Sequence, residues 1–166
     1  MTIPPELLAK SLPIALRLAK HFESCATVLP DGRVQAYWDA DGGIYTIGWG
    51  STGRDIGKAT VWTQAQCDKW ISDRMAKDMA KIAGELPNLE PHELAACTSL
   101  AYNIGMGNFL SSTLVKRLKL GKKIEAAEQF LRWDRSGGKV LRGLTRRRKC
   151  ERDIFLGKPL AIIEVS

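Results

Sequence analysis

With 166 residues, 45% of them hydrophobic and 26% charged, the chain can bury a sizeable core without disulfide or metal staples. Its formal charge of +7 favours polyanionic partners such as nucleic acid, anionic lipid or the bacterial wall, although charge sets a field and not a site. Two histidines, and four cysteines without a C-x-x-C pair, argue against a zinc centre, and no apolar run is long enough to span a bilayer.

Residues 3–10 read as a short helical turn. Ser11 is then an N-cap candidate for the next helix, with Pro13 in the first turn, where proline is tolerated. That helix is predicted to run to about Glu23, with Ile14, Leu18 and Phe22 on one row and Leu12, Leu16 and Ala19 on its neighbour. The amphipathic start carries Glu6, Lys10, Arg17 and Lys20, which suits neither a signal peptide nor a membrane anchor. The product is therefore expected to begin in the cytoplasm.

From Ser24 to Thr60, turn residues cluster at Pro30-Asp31-Gly32, Asp41-Gly42-Gly43 and Gly48 to Gly53. The β-prone runs between them, Val34 to Trp38 and Ile44 to Trp49, predict a small antiparallel sheet. Thr63 with Gln66 has the capping-box spacing and opens a helix to about Ala83. Pro87 and Pro91 bracket a break. Pro91 to about Ile104 is apolar on several faces, the mark of a central buried helix, and Gly105 and Gly107 end it. Ser112 is placed to cap a helix through Leu120, stopped by Gly121. Further helices are expected over Ile124 to Trp133 and Thr145 to Leu156, separated by Ser136-Gly137-Gly138. The class is α+β, one domain of two lobes: a β-rich lobe at 24–60 and a helical lobe from 1–23 and 61–166.

Glycosidic-bond hydrolysis uses two acidic groups, one to protonate the leaving oxygen and one to hold water or attack the sugar. Glu23 suits the first role. It stands at a helix C-terminus and on an apolar row, and both surroundings favour a carboxyl that keeps its proton. A solvent-exposed helix-end glutamate is the plain alternative. Asp39 and Asp41 follow in Tyr37-Trp38-Asp39-Ala40-Asp41-Gly42-Gly43; Asp-Gly is a usual hairpin pair, so Asp41 has a turn to serve. Thr46, in Ile44-Tyr45-Thr46-Ile47-Gly48-Trp49-Gly50, is either an ordinary β-branched strand residue or a hydroxyl that orients water.

The order Glu23, Tyr37-x-Asp39, then Tyr45-Thr46-Ile47-Gly48-Trp49-Gly50-Ser51-Thr52-Gly53 resembles the phage-type, T4-like lysozymes or endolysins. Ala101-Tyr102-Asn103-Ile104-Gly105 and Gly143-Leu144-Thr145-Arg146-Arg147-Arg148 with Glu151 are similar to later family stretches. The resemblance spans roughly Leu16 to Gly157. Ser24 replaces the usual glycine, the stretch from Glu23 to Tyr37 is longer, and the Asp39–Thr46 spacing exceeds the commonest one by a residue.

The resemblance implies a lysozyme-like fold with a cleft between the lobes. It implies cleavage of the β-1,4 bond between N-acetylmuramic acid and N-acetylglucosamine in peptidoglycan, probing a wall polymer whose negative charge suits this chain. Glu23 would be the general acid, with Asp39 and Thr46 positioning water and inversion at the anomeric carbon; Asp41 stays open as the second carboxylate. Arg146 would support Glu23, and Trp49, Phe109, Ser112 and Thr113 would line the sugar groove. No cofactor, metal, nucleic acid or stable membrane anchor is implied. The setting is a monomer released through a holin-type pore to the wall.

Three other readings stand beside it. One is a non-catalytic wall-binding module. Another is a membrane-active basic protein acting through residues 143–157. The third is chitinase-like specificity. The Arg146-Arg147-Arg148-Lys149 run reads most simply as a solvated helix face. Trp38 and Trp49 are candidates for stacking on sugar rings, whereas Trp62, Trp70 and Trp133 read as packing residues. Cys25 lies two residues from Glu23, so a disulfide there would distort the site.

Overall fold

The computed structural model describes residues 2–166. The chain forms two compact units, one of residues 2–18 with Met75–Ser166 and one of Ala19–Arg74. The second unit therefore extends on both sides of the 24–60 stretch expected to hold the sheet.

Helix α1 runs unbroken over Pro5–Phe22. The expected break at Ser11 is absent: Ser11 is fully buried inside the helix and caps nothing. Pro13 removes one helical bond, but it lies on the exposed face, where water can serve the carbonyl left over. Ala15, Leu18 and Ala19 on the opposite face are fully buried, and their burial holds the helix together across the proline.

In the Ala19–Arg74 unit, β1 (Val34–Gln35) pairs antiparallel with β4 (Val61–Trp62), and β2 (Tyr37–Asp39) pairs with β3 (Ile44–Thr46). The expected small sheet is thus two separate two-stranded ladders, and β4 was not foreseen. The change of partner is at Ala36, whose N–H still donates toward the β4 side, to the Thr60 carbonyl at 2.9 Å, before Tyr37 begins the β2–β3 ladder. Val34, Ala36, Ile47, Ile56 and Cys67 form the core beneath, with Tyr45, Trp49 and Trp62 packed against it.

Helix α2 (Gln64–Glu85) opens on the predicted capping box. Gln66 N–H donates to Thr63 Oγ1 at 3.1 Å, and Thr63 N–H donates to Gln66 Oε1 at 2.8 Å. Thr63→Ala is expected to cost about 1 kcal/mol, measurable by urea unfolding.

In the other unit, α3 (Pro91–Ile104) is buried from Glu93 to Ala101 and packs chiefly against α7 (Arg142–Phe155). Gly105, at φ +92°, ends α3, and a short helix α4 (Met106–Leu110) follows where only a break was expected. Ser112 caps α5 (Thr113–Lys119), its Oγ accepting from Val115 N–H at 3.3 Å. Helix α6 (Lys123–Gln129) passes into a 3₁₀ turn, Phe130–Arg132. The Gly137-Gly138 pair, both at positive φ, closes a hairpin of β5 (Arg135–Ser136) and β6 (Lys139–Val140), where only a break between helices was expected.

The basic run on α7 is solvated only in part: Arg146 and Lys149 are exposed. Arg147 and Arg148 are buried, and both pair with the fully buried Glu151. Glu151 also accepts from Ser99 Oγ at 2.8 Å, and Arg148 donates to Asn103 Oδ1 at 2.9 Å. A helical repeat shows which residues share a face, but only α3 packing on α7 decides that this face is internal. Among the described residues no helix is long and apolar enough to cross a membrane.

Candidate active site

Glu23 follows α1 directly. Its N–H continues the helical ladder to the Ala19 carbonyl at 2.7 Å, so the helix end fixes where its backbone lies, and the residue is half-buried.

The β2–β3 register sets the other candidates. Tyr37 pairs with Thr46, Trp38 with Tyr45 and Asp39 with Ile44. Side chains alternate across a ladder, so Tyr37, Asp39 and Thr46 share one face while Trp38 and Tyr45 share the other. Burial, then the Asp39 carboxylate, then that of Glu23 push the Tyr37 hydroxyl above the ordinary tyrosine range. The i, i+2 spacing of Tyr37 and Asp39 is the sequence signal that puts both on one strand face.

Asp39, not Asp41, makes the hairpin turn. Asp39 Oδ1 accepts from Asp41 N–H at 3.1 Å, and the Asp39 carbonyl accepts from Gly43 N–H at 2.7 Å. A Cβ on Gly42 would stand 2.9 Å from Asp39 Oδ2, so the glycine makes room for this carboxylate. This reverses the expectation that Asp41 is the residue committed to the turn: an aspartate two residues before the N–H it binds forms the Asx-type turn, whereas Asp41 is exposed at the tip.

Thr46 is only 4% exposed, and its Oγ1 has no hydrogen-bond partner among the described residues. Such a buried hydroxyl is suited to hold a water molecule. Just beyond it, Gly48 adopts φ +62°, and a Cβ there would meet Cys67 Sγ at 2.8 Å. The close approach of the Gly48 backbone to α2 holds the end of β3 in place.

Trp49 is engaged within the protein. Its Nε1–H donates to Asp68 Oδ1 at 2.8 Å, and Lys20 Nζ lies 5.4 Å from the ring centroid. The Lys20 ammonium, with a smaller contribution from the Trp49 N–H, holds the Asp68 carboxyl below the usual range. Trp38 is the exposed indole of the hairpin, set edge-on to Tyr45 at 5.1 Å.

The remaining groove candidates belong to the unit that holds Met75–Ser166. Phe109 is fully buried and Ser112 is buried as the α5 cap, its Oγ donating to the Phe109 carbonyl at 2.6 Å. Both therefore serve packing and capping rather than an open groove. Thr113 is half-buried and lines a hollow of about 280 Å³ with Gln129, Arg132 and Trp133. Arg146 is exposed and donates to the Ser166 carbonyl at 3.1 Å.

All four cysteines are free thiols. Burial pushes the Cys67 thiol up to about 11, with Cys25 and Asp68 adding to the shift. Among the described residues no group of three His, Cys, Asp or Glu side chains is placed to hold a metal ion.

The family model for phage lysozyme matches residues 20–151. The chain belongs to the phage lysozyme family. It has the α+β lysozyme fold and is a lysozyme-type glycoside hydrolase by membership. It is 37% identical over 119 residues to the SAR-endolysin of Enterobacteria phage P21, covering 69% of this chain and 70% of that one. It is also 37% identical over 113 residues to the endolysin of Bacillus phage B103, covering 68% of this chain but only 43% of that protein. The muramidase domain of SpmX from Asticaccaulis excentricus superposes with a TM-score of 0.73 at 26% identity, over 86% of this chain and 94% of that domain.

Proposed function

We propose that this lysozyme hydrolyses the β-1,4 bond between N-acetylmuramic acid and N-acetylglucosamine in bacterial peptidoglycan, with Glu23 as general acid and Asp39 and Thr46 holding the attacking water. The observation that carries the reading is the β2–β3 register, which sets Asp39 and Thr46 on one face with Tyr37, where the Glu23 carboxylate also acts on the Tyr37 phenol. Glu23 gives its proton to the leaving oxygen. Asp39 takes a proton from water while the Thr46 hydroxyl orients it, and the anomeric carbon inverts. The Asp39 Oδ1 contact to Asp41 N–H fixes the carboxylate without neutralising it, and the fold keeps that group in one orientation for catalysis.

Arg146, whose guanidinium donates to the Ser166 carbonyl, is kept only as a supporting residue for Glu23. The protein works as a monomer without a cofactor, leaves the cytoplasm through a holin-type pore and acts on the wall.

The competing carboxylates separate by substitution. Asp39→Asn keeps an acceptor for the Asp41 N–H, so the turn survives, yet release of soluble muropeptides from purified peptidoglycan should fall by about 10²- to 10⁴-fold. Asp41→Asn should release them at close to the wild-type rate. Loss confined to Asp41→Asn would transfer the role to that residue.

A further inference from the structure

One surface outside the catalytic residues combines exposed aliphatic side chains with clustered cations. The segment Lys116-Arg117-Leu118-Lys119-Leu120-Gly121-Lys122-Lys123-Ile124 runs from α5 through a tight turn into α6. Gly121, at φ +71°, makes that turn, and the Gly121 and Lys122 N–H groups close it onto the Leu118 and Arg117 carbonyls at 2.9 Å each. Leu120 is 66% exposed and Ile124 71% exposed, so two large aliphatic side chains stand in water at one tip. Beside them lies a hollow of about 490 Å³, walled by Leu86, Pro87, Leu89, Leu118 and Leu120.

Lys119 and Lys123 also line this hollow, and Lys116 and Lys122 are exposed along the same segment. Some of the charge is answered within the protein. Lys119 lies 3.6 Å from Glu85, Lys122 lies 3.9 Å from Glu125, and Lys123 lies 2.8 Å from the buried Glu93. The first two contacts are long and solvent-exposed, so those ammonium groups can turn to another anion at little cost. Five cations in the segment outnumber the three carboxylates that answer them.

Exposed aliphatic groups ringed by lysines fit an interface that is apolar inside and anionic at its face. We propose that the α5–α6 tip docks on an anionic phospholipid surface, with Leu120 and Ile124 entering the acyl boundary and Lys119 and Lys122 meeting the headgroup phosphates. The occupant is a bilayer surface rather than a wall glycan, because a hydrated polysaccharide gives Leu120 and Ile124 nothing apolar to enter. Charge complementarity supplies the attraction and the two side chains supply retention. This surface is also distinct from the basic run of α7, where Arg147 and Arg148 are buried against Glu151 and face no membrane.

Co-sedimentation of the full chain with vesicles tests the proposal. Wild type should bind phosphatidylglycerol-containing vesicles at least tenfold more tightly than pure phosphatidylcholine vesicles. Leu120→Ser with Ile124→Ser should reduce that binding at least tenfold, as should Lys119→Gln with Lys122→Gln. All four positions are exposed, so unfolding midpoints should match wild type, and hydrolysis of purified peptidoglycan should be unchanged. Glu23→Gln should bind vesicles as wild type does, which separates this surface from the catalytic proposal. Equal binding to neutral vesicles, or undiminished binding by the Leu120/Ile124 variant, would overturn it. So would loss of binding to purified sacculi by that variant, because the tip would then be a wall-binding surface.

Discussion

Glu23→Gln is expected to lower peptidoglycan hydrolysis by about 10²- to 10⁴-fold while leaving the fold intact. The amide matches the carboxyl in shape and removes only the transferable proton. The backbone at this position is held by the Glu23 N–H bond to Ala19, which the substitution does not touch. The helix end should therefore keep its place while the chemical step suffers. A variant that releases muropeptides at the wild-type rate would remove Glu23 from the mechanism. Wild type that clears no outer-membrane-permeabilised cells would instead favour a wall-binding module that has kept the fold.

Glu151→Gln should produce the largest loss of stability. Its carboxylate is fully buried, with Oε1 accepting from Ser99 Oγ at 2.8 Å and Arg147 Nε at 3.0 Å, and Oε2 lying 3.1 Å from Arg148 Nε. Removing that charge leaves two buried guanidinium groups facing a neutral amide. Breaking a buried pair in this way costs about 3–5 kcal/mol. For a chain of this size the midpoint of thermal unfolding should drop by roughly 10 °C. By contrast, Glu6→Gln should leave the midpoint unchanged, because the Glu6–Lys10 pair lies in solvent. Calorimetry on the two variants measures both; a drop for Glu151→Gln no larger than that for Glu6→Gln would show that the network carries no net stability.

Local chemistry was legible wherever neighbouring residues decide the outcome. Thr63 and Gln66 form their capping box, and Ser112 caps α5, because both motifs lie within a single turn of chain. Glu23 at the end of α1 and Asp39 on a strand before a turn could be read in the same way. What failed depended on contacts between distant segments. Arg147 and Arg148 looked solvated until α3 covered them. Phe109 looked like a groove residue until its full burial was evident. Strand β4 is too short to show a pattern of its own and exists because Val34 and Gln35 pair with it. The roles of Asp39 and Asp41 in the turn were exchanged because a dipeptide signal names the turn but not the carboxylate that bonds it.

Tyr37 illustrates the middle ground. Its place on the Asp39 face follows from strand alternation, but its proximity to Glu23 arises only when the end of α1 and the hairpin come together.

Mass spectrometry of the products released from purified peptidoglycan is the most direct measurement of the proposed chemistry. Wild type should yield muropeptides ending in reducing N-acetylmuramic acid, with Glu23→Gln and Asp39→Asn yielding almost none under the same conditions. Cleavage of chitin oligomers with no release from peptidoglycan, or the same muropeptides from Glu23→Gln at the wild-type rate, would contradict it.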